Sequence, residues 1–328
     1  MKRLAIVAHY DARGEFAPHV ARQLDMLGDS FDRVVVASTS ALTDGARRAI
    51  SARADLIERS NLGQDFGSWH EALQDAGLAR DYDELLLTND SYVSAVTSLE
   101  PIISTMSERP VEVWGMTKTW RHAEHIQSYF LYFSKPALHS QAFRQFWSDF
   151  RPAPDRTAAI MHQEVGLSRR MREAGFRLGS YFEPTLRERR LANRRGVHWL
   201  IRRRRAFPSH FHGFEDHFRI RRSRDPMESN NLNWATDFAD FVFDRARYPV
   251  VKFDTLRYDP HWLGADRLLR DCEQVFPAAF AGVREYMAAT AAAYPGRRFE
   301  NDRPVAIGPI GRVVYGYRRQ GSPGRSES

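Results

Sequence analysis

The sequence predicts an α/β protein built on a doubly wound, mostly parallel sheet. Three observations lead there. Leu85-Leu86-Leu87-Thr88 is a continuous apolar run that passes straight into Asn89-Asp90-Ser91, the pattern of an inner strand buried on both faces. Leu4-Ala5-Ile6-Val7-Ala8-His9 is a run of the same kind. Between them, strand and helix signals follow in a β-α-β-β order, which favours a sheet wound on both sides.

Each element has a local cause. The first strand ends at His9-Tyr10-Asp11. Pro18 fits the first turn of a helix with Val20, Leu24 and Leu27 on one face, and Gly28 ends it. Val34-Val35-Val36-Ala37 and Asp55-Leu56-Ile57 read as the second and third strands. The stretch from Arg59 to Trp69 leads into a helix carrying Trp69, Leu73 and Ala76, and the strand Leu85 to Thr88 comes next. Val111 to Thr117 and the aromatic-rich Gln127 to Ser134 are further strands, with His125 just before the latter. A helix from Pro136 to Phe150 places Phe143, Phe146 and Trp147 in the core. Leu167, Met171 and Ala174 share a face of another helix, which Gly175 stops and near whose start Glu164 sits. A late strand, Val250 to Asp254, precedes helices expected over 265–275 and 278–293. From Gln320 the Ser/Gly/Arg-rich composition predicts disorder. The expected organisation is one domain over 1–260, a helical C-terminal extension over 261–319 and a tail over 320–328.

Composition narrows the classes. The chain has 328 residues, 43% hydrophobic and 27% charged, which gives a globular protein with a substantial core. No apolar run reaches the length of a membrane span, and the apolar part of the start, Leu4 to Ala8, is too short for a signal peptide. The single cysteine, Cys272, excludes an intramolecular disulfide and a cysteine-based zinc site. Together these predict a cytoplasmic protein. The net charge of +7 is uneven: 187–224 holds 13 arginines against three acids, so that segment is +10 and the remainder −3. A run of this kind, Arg202 to Arg205 beside Trp199-Leu200-Ile201 and His210-Phe211-His212, suits an anionic membrane surface. It also suits nucleic acid.

Chemistry concentrates at strand ends. Ligands of open α/β sheets bind outside the carboxyl ends of the strands, where Asn89, Asp90 and Ser91 project. A carboxylate and an amide oxygen there suit a hard divalent cation, Mg²⁺ or Mn²⁺, which in turn binds phosphate oxygens. The same three residues also make an ordinary turn. The glycine-bearing loop from Arg59 to Trp69 offers a second place for phosphates, although its glycines match neither the dinucleotide fingerprint nor a P-loop. Alternatively it is a capped loop with Asp65 as N-cap.

As an ordered set, Asn-x-Gly-x-Asp-Phe-Gly-Ser (Asn61 to Ser68), Leu-Leu-Leu-Thr-Asn-Asp-Ser (Leu85 to Ser91) and His-Ile-Gln-Ser-Tyr-Phe (His125 to Phe130) resembles the rhamnan-synthesis F family of polysaccharide glycosyltransferases. Lys252 to Pro260 looks similar to that family's closing segment. The resemblance spans about Leu4 to Pro260. It implies a single A-type glycosyltransferase domain, Rossmann-like, that transfers a sugar with inversion from a nucleotide donor, dTDP-rhamnose. The implied acceptor is a glycan or lipid-linked glycan of a cell-surface polysaccharide or lipopolysaccharide. The Asp-x-Asp-like position falls on Asn89-Asp90-Ser91, with one carboxylate instead of two. Glu164 falls on the base position of inverting family-two enzymes, with Gln163 where an acid usually precedes it. The expected roles follow: Glu164 as base for the acceptor hydroxyl and Asp90 on a cation, helped by His210 or His212. Asp11, Asn61, Asp65, Asn89, Ser91 and His125 are expected at the donor. The protein would work peripherally on the inner face of the membrane and bind no nucleic acid. Two rival classes are a metal-dependent phosphohydrolase using Asp11 and Asp90, and a non-catalytic nucleic-acid-binding protein using the arginine segment.

Overall fold

A computed structural model describes residues 1–120, 123–206, 233–294 and 308–319. The chain forms two compact units. The first comprises Met1–Ser91, Thr97–Lys118 and His122–Tyr181, the second Tyr92–Val96, Thr119–Arg121 and Phe182–Ser328.

The first unit is a mixed α/β body around a mostly parallel sheet. Its strands are β1 (Arg3–His9), β2 (Arg33–Ser38), β3 (Asp55–Glu58) and β4 (Glu84–Asn89). After β5 (Tyr92–Ser94), which belongs to the second unit, β6 (Val113–Gly115) follows, then the short β7 (Lys118–Thr119) and β8 (His125–Ile126), β9 (Phe130–Phe133) and β10 (Leu178–Ser180). The seven-stranded order is β10-β6-β9-β4-β1-β2-β3. β1 pairs in parallel with β2 and β4, β2 with β3 and β10 with β6. β9 runs antiparallel to both its neighbours, β4 and β6. All six residues of β4 are buried, as the inner-strand reading of Leu85 to Thr88 requires.

Helix α1 (Pro18–Gly28) starts on its proline as expected and buries Val20, Leu24 and Leu27. It is followed by α2 (Asp44–Ser51), α3 (Gln64–Asp75) and α4 (Glu100–Ser107). The expected helix from Pro136 to Phe150 is two, α5 (Lys135–Leu138) and α6 (Gln141–Ser148). Ser140 breaks the run and caps α6 by accepting the N–H of Phe143. Phe143 and Trp147 are fully buried, Phe146 nearly so. The aromatic core joins Phe66, Trp69, Phe143, Phe146 and Trp147 with Leu4, Ile6, Leu85 and Leu87. The helix carrying Glu164 begins earlier than the sequence suggested. It is α7 (Arg156–Ala158), a π segment (Ala159–Glu164) and α8 (Val165–Glu173) in succession. Glu164 therefore lies within a helical run and not at its N-terminus.

In the second unit β5 pairs antiparallel with β11 (Val250–Lys252), Val251 opposite Val93. The rest is helical. It includes α9 (Leu186–Ala206) and helices at Ala265–Val275 and Val283–Ala289, the last shorter than the 278–293 expected. Lys252 to Pro260 is structural. Asp259, at φ 41°, accepts the N–H groups of Leu263, Gly264 and Ala265 at 2.8, 2.8 and 3.0 Å, which caps the helix that follows.

The basic segment is only in part a surface. Arg195, 1% exposed, meets Asp240 bidentately at 2.8 and 2.6 Å. Its remaining donors reach the carbonyls of Asp237, Tyr315 and Gly316. One guanidinium thus answers five acceptors from two stretches of the unit, 237–240 and 315–316. Burial of Arg202 lowers its pKa to about 10, and its Nη2 donates to the His261 carbonyl at 2.6 Å. Gln320 and the residues after it lie outside the described residues.

Removing one partner of a buried ion pair strands the other charge. Asp240→Ala is expected to lower stability by about 3–5 kcal/mol, read as a fall in the urea midpoint. The exposed control Arg267→Ala should leave the midpoint nearly unchanged.

Candidate active site

Strand order alone selects the site. From β1 the chain winds outward to β2 and β3, then crosses back to place β4 on the other side of β1. The carboxyl ends of β1 and β4 therefore flank a topological switch point, where open α/β sheets hold ligands. His9-Tyr10-Asp11 leaves one strand there and Asn89-Asp90-Ser91 the other.

Hydrogen bonds bind the two ends together. The Tyr10 N–H donates to Asp90 Oδ2 at 2.7 Å. The Asp90 N–H extends the ladder to the Ala8 carbonyl at 3.2 Å. Asp11, 3% exposed, accepts at Oδ1 from the N–H groups of Arg13 and Glu15 at 2.8 and 2.9 Å, and so shapes its own loop. Asn89 Nδ2 donates to Asp65 Oδ2 at 2.8 Å, while Asn89 Oδ1 accepts from the N–H and hydroxyl of Ser91 at 3.2 and 2.5 Å. Asp65, Asn89, Ser91, Asp90 and Asp11 are therefore brought to one edge.

Asp65 lies in the first turn of α3 and is not its cap. That position is Gly63, at φ +76°. Gly67 is required by close approach: a Cβ there would sit 2.0 Å from the Leu62 carbonyl oxygen. Arg59 braces this loop through the Leu62 carbonyl, Ser68 and Glu71 at 2.8, 3.2 and 2.7 Å. Asn61 is exposed on the loop.

Glu164 reaches the same edge by another route. Because β9 runs against β4, its amino end lies beside the carboxyl end of β4, Thr88 opposite Phe130. Thr88 Oγ1 donates to the Tyr129 carbonyl at 2.7 Å, and the Ser128 N–H donates to Glu164 Oε1 at 2.6 Å. His125 Nε2 stands 3.9 Å from that oxygen, while its Nδ1 lies 2.8 Å from the Ala123 carbonyl. A carbonyl only accepts, so Nδ1 carries the proton and Nε2 faces the carboxylate. Glu164 closes a π turn, a distortion common at functional sites.

Several residues here were not singled out in the sequence. His19 Nε2 lies 2.9 Å from the Asp90 carbonyl and Gln23 Nε2 donates to the Asn89 carbonyl at 3.0 Å. Their signal is the i, i+4 spacing of two polar side chains among the apolar residues of α1. His9 Nδ1 lies 2.9 Å from Ser38 Oγ, and Ser40 Oγ accepts the Asp11 N–H at 2.6 Å. His210 and His212 lie outside the described residues. Among the described residues no group of three or more His, Cys, Asp or Glu side chains could hold a metal by itself. A single carboxylate suits Mg²⁺ that shares its shell with substrate phosphates.

A family model described as rhamnan synthesis protein F matches residues 34–198. An uncharacterised protein of Sinorhizobium fredii, y4gN, is 24% identical over 187 residues, which cover 55% of this chain and 49% of that protein. The match thus spans about half the length of that curated relative. Among solved structures, A197 from STIV aligns with 54% of this chain and 80% of its own, at 12% identity and a TM-score of 0.29. A 4-diphosphocytidyl-2C-methyl-D-erythritol synthase aligns over 55% of this chain and 87% of its own, at 12% identity and a TM-score of 0.33.

Burial lowers the His9 pKa to about 4 despite the opposing pull of Asp11. The folded protein therefore holds His9 neutral where the unfolded chain, near 6.5, takes up a proton. The stability this neutral form brings is complete above about pH 6.5 and lost as pH falls toward 4, a cost of about 3 kcal/mol. Urea unfolding at stepped pH should show this slope, and His9→Gln should flatten it.

Proposed function

The chain belongs to the rhamnan synthesis protein F family, and on that premise we propose that it is an inverting glycosyltransferase with an A-type donor domain. It moves a sugar, rhamnose from dTDP-rhamnose, to a glycan or lipid-linked glycan precursor of a cell-surface polysaccharide. The observation that supports this best is the convergence of Asp90 and Glu164 on one sheet edge, each with a carboxylate oxygen held by a backbone N–H.

The acceptor hydroxyl oxygen attacks the anomeric carbon as the bond from that carbon to the diphosphate oxygen breaks. The diphosphate leaves with the bonding electrons, and Glu164 takes the hydroxyl proton. Direct displacement inverts the anomeric centre. Asp90 would hold a divalent cation, Mg²⁺ or Mn²⁺, which would supply positive charge to the departing diphosphate. Asp65, Asn89 and Ser91 form the floor of the donor site through their mutual hydrogen bonds. Asp11 and Asn61 contribute contacts from the flanking loops. His125, beside Glu164, contacts donor or acceptor.

The charge of α9 suggests a location. Arg187, Arg190 and Arg194 are exposed at a spacing that puts them on one face of α9. This face suits the anionic inner surface of a membrane. Among the described residues no helix is long and apolar enough to cross a membrane.

A ligand stabilises the fold by RT ln(1 + [L]/Kd). A thermal-shift series with dTDP and dTDP-rhamnose, with and without Mg²⁺ or Mn²⁺, should show a metal-dependent rise that Asp90→Ala abolishes. A shift without metal would move diphosphate recognition to arginine, and no shift with any nucleotide sugar would remove the donor site. Glu164→Gln should leave donor binding intact and lower kcat by about 10²- to 10⁴-fold. Vesicles of phosphatidylglycerol should sediment the protein at low salt and release it at high salt. Triple replacement of Arg187, Arg190 and Arg194 by Gln should abolish that association.

A further inference from the structure

The second unit leaves an apolar stripe in water. In the helix Pro309–Tyr315, Ile310, Val313 and Val314 are 81, 66 and 43% exposed. Their i, i+3, i+4 spacing puts all three on one face. Single exposed aliphatic side chains are ordinary, whereas a contiguous group marks a contact surface.

The helix is fixed in place, so the exposure is built in. The Tyr315 ring stacks on His198 of α9 with centroids 4.3 Å apart, and the Tyr315 and Gly316 carbonyls accept from Arg195. Tyr317 follows, 1% exposed. Its hydroxyl donates to the Thr236 carbonyl at 2.7 Å and its N–H to the Leu263 carbonyl at 2.8 Å. Tyr315 lies about 140° round the helix from Ile310. The anchored side and the apolar stripe therefore face away from each other.

Charge narrows the partner. Arg312, Arg318 and Arg319 accompany the stripe, all exposed, and no acid occurs from 308 to 319. On α9, Arg187, Arg190 and Arg194 share a face with Ile201, which is 40% exposed. His198, which meets the helix, is one turn from Arg194, so the two surfaces adjoin. Among the described residues none of these six guanidinium groups forms an ion pair. The one acid of α9, Glu188, is held by Arg247 at 2.7 Å. Nucleic acid would answer the arginines and leave Ile310, Val313 and Val314 in water. A second copy of the chain would bring like charges together around the stripe, which is costly. A bilayer with anionic headgroups answers both, because headgroups take the guanidinium groups and the acyl boundary takes the aliphatic side chains. We propose that the Pro309–Tyr315 helix lies in the interface of an anionic bilayer, with Ile310, Val313 and Val314 in its acyl boundary. This insertion rests on the membrane contact proposed for α9 and supplies the element that enters the lipid.

The test uses the full chain with vesicles of phosphatidylglycerol or of phosphatidylcholine. The native cysteine, Cys272, is buried, so a thiol-reactive NBD dye labels Val313→Cys selectively. On phosphatidylglycerol the emission at position 313 should move to the blue and be quenched by lipids that carry a nitroxide in the acyl chain. The same dye on the exposed control Arg267→Cys should do neither, and phosphatidylcholine should leave both unchanged. Joint replacement of Ile310, Val313 and Val314 by Ser should weaken binding to phosphatidylglycerol by roughly tenfold or more with the arginines of α9 intact. Emission at 313 that phosphatidylglycerol leaves unmoved, or a serine variant that sediments as the native chain does, overturns the insertion and leaves the α9 contact standing. So does an equal blue shift on phosphatidylcholine. A blue shift that rises with protein concentration in the absence of lipid overturns it by identifying a second copy, and one produced by polyuridylate alone by identifying nucleic acid. Absence of vesicle binding by the native chain overturns the insertion and the α9 contact together. The nucleotide-sugar thermal shifts need no lipid, so the transferase reading stands or falls separately.

Discussion

The complete burial of β4 governs the first unit. Its six residues lie between a parallel and an antiparallel neighbour, and none is exposed. Leu85, Leu86 and Leu87 can be satisfied by apolar packing and the ladder, and Glu84 is met by Arg3 and the Tyr132 hydroxyl, both at 2.7 Å. Thr88 and Asn89 cannot, because a buried polar group without a partner is costly. The surroundings are arranged to answer them. Trp69 Nε1 donates to the Thr88 carbonyl at 2.8 Å, the Thr88 hydroxyl donates to Tyr129, and Gln23 and Asp65 meet Asn89. Two helices and a strand are thereby tied to one end of one strand. The same bonds hold Asp90 at the rim with its backbone already fixed, which is what a preorganised site requires.

The reversed polarity of β9 is the second organising fact. Had β9 run parallel to β4, its amino end would lie at the opposite edge and Ser128 would be far from Asn89. Running antiparallel, it delivers Gln127-Ser128-Tyr129 to the carboxyl edge of β4, where Thr117 Oγ1 donates to Gln127 Oε1 at 2.7 Å. Glu164 is fixed against this segment. The π segment preceding α8 alters the side-chain phase of the helix, so that Glu164 meets Ser128 while Leu167 and Met171 remain in the core.

In the second unit a charged residue takes the place of a hydrophobic keystone. Arg195 is among the largest fully buried side chains and is held by Asp240 and three carbonyls. Its guanidinium lies over the Tyr317 ring at 5.4 Å, and elsewhere in the unit Phe182, Trp234, Phe238, Phe241 and Tyr248 form an aromatic cluster. Arginine suits this position because its planar guanidinium can satisfy several acceptors at once. The arginine count of the segment therefore overstates its surface charge: Arg187, Arg190 and Arg194 face water while Arg195 and Arg202 do not.

Local pattern was enough for the inner strands, for α1 with its proline start and glycine end, and for the helix at Ala265–Val275. In each, burial follows directly from apolar spacing. It was also enough to place Asn89-Asp90-Ser91 and Asp11 at strand ends, because a strand's direction is its sequence direction. The family resemblance rested on those same ordered segments. Contacts distant in sequence were not legible. Apolar residues read alike in parallel and antiparallel strands, so the reversal of β9 was hidden. No periodicity announces a π turn, so Glu164 seemed to open a helix that in fact runs through it. His9, His19 and Gln23 carry their roles through partners 29 to 71 residues away. Arg195 looked like its neighbours until Asp240, 45 residues later, was folded onto it. Sequence settles what each segment is; the tertiary structure decides which polar groups meet, because only packing removes the water that would otherwise satisfy them.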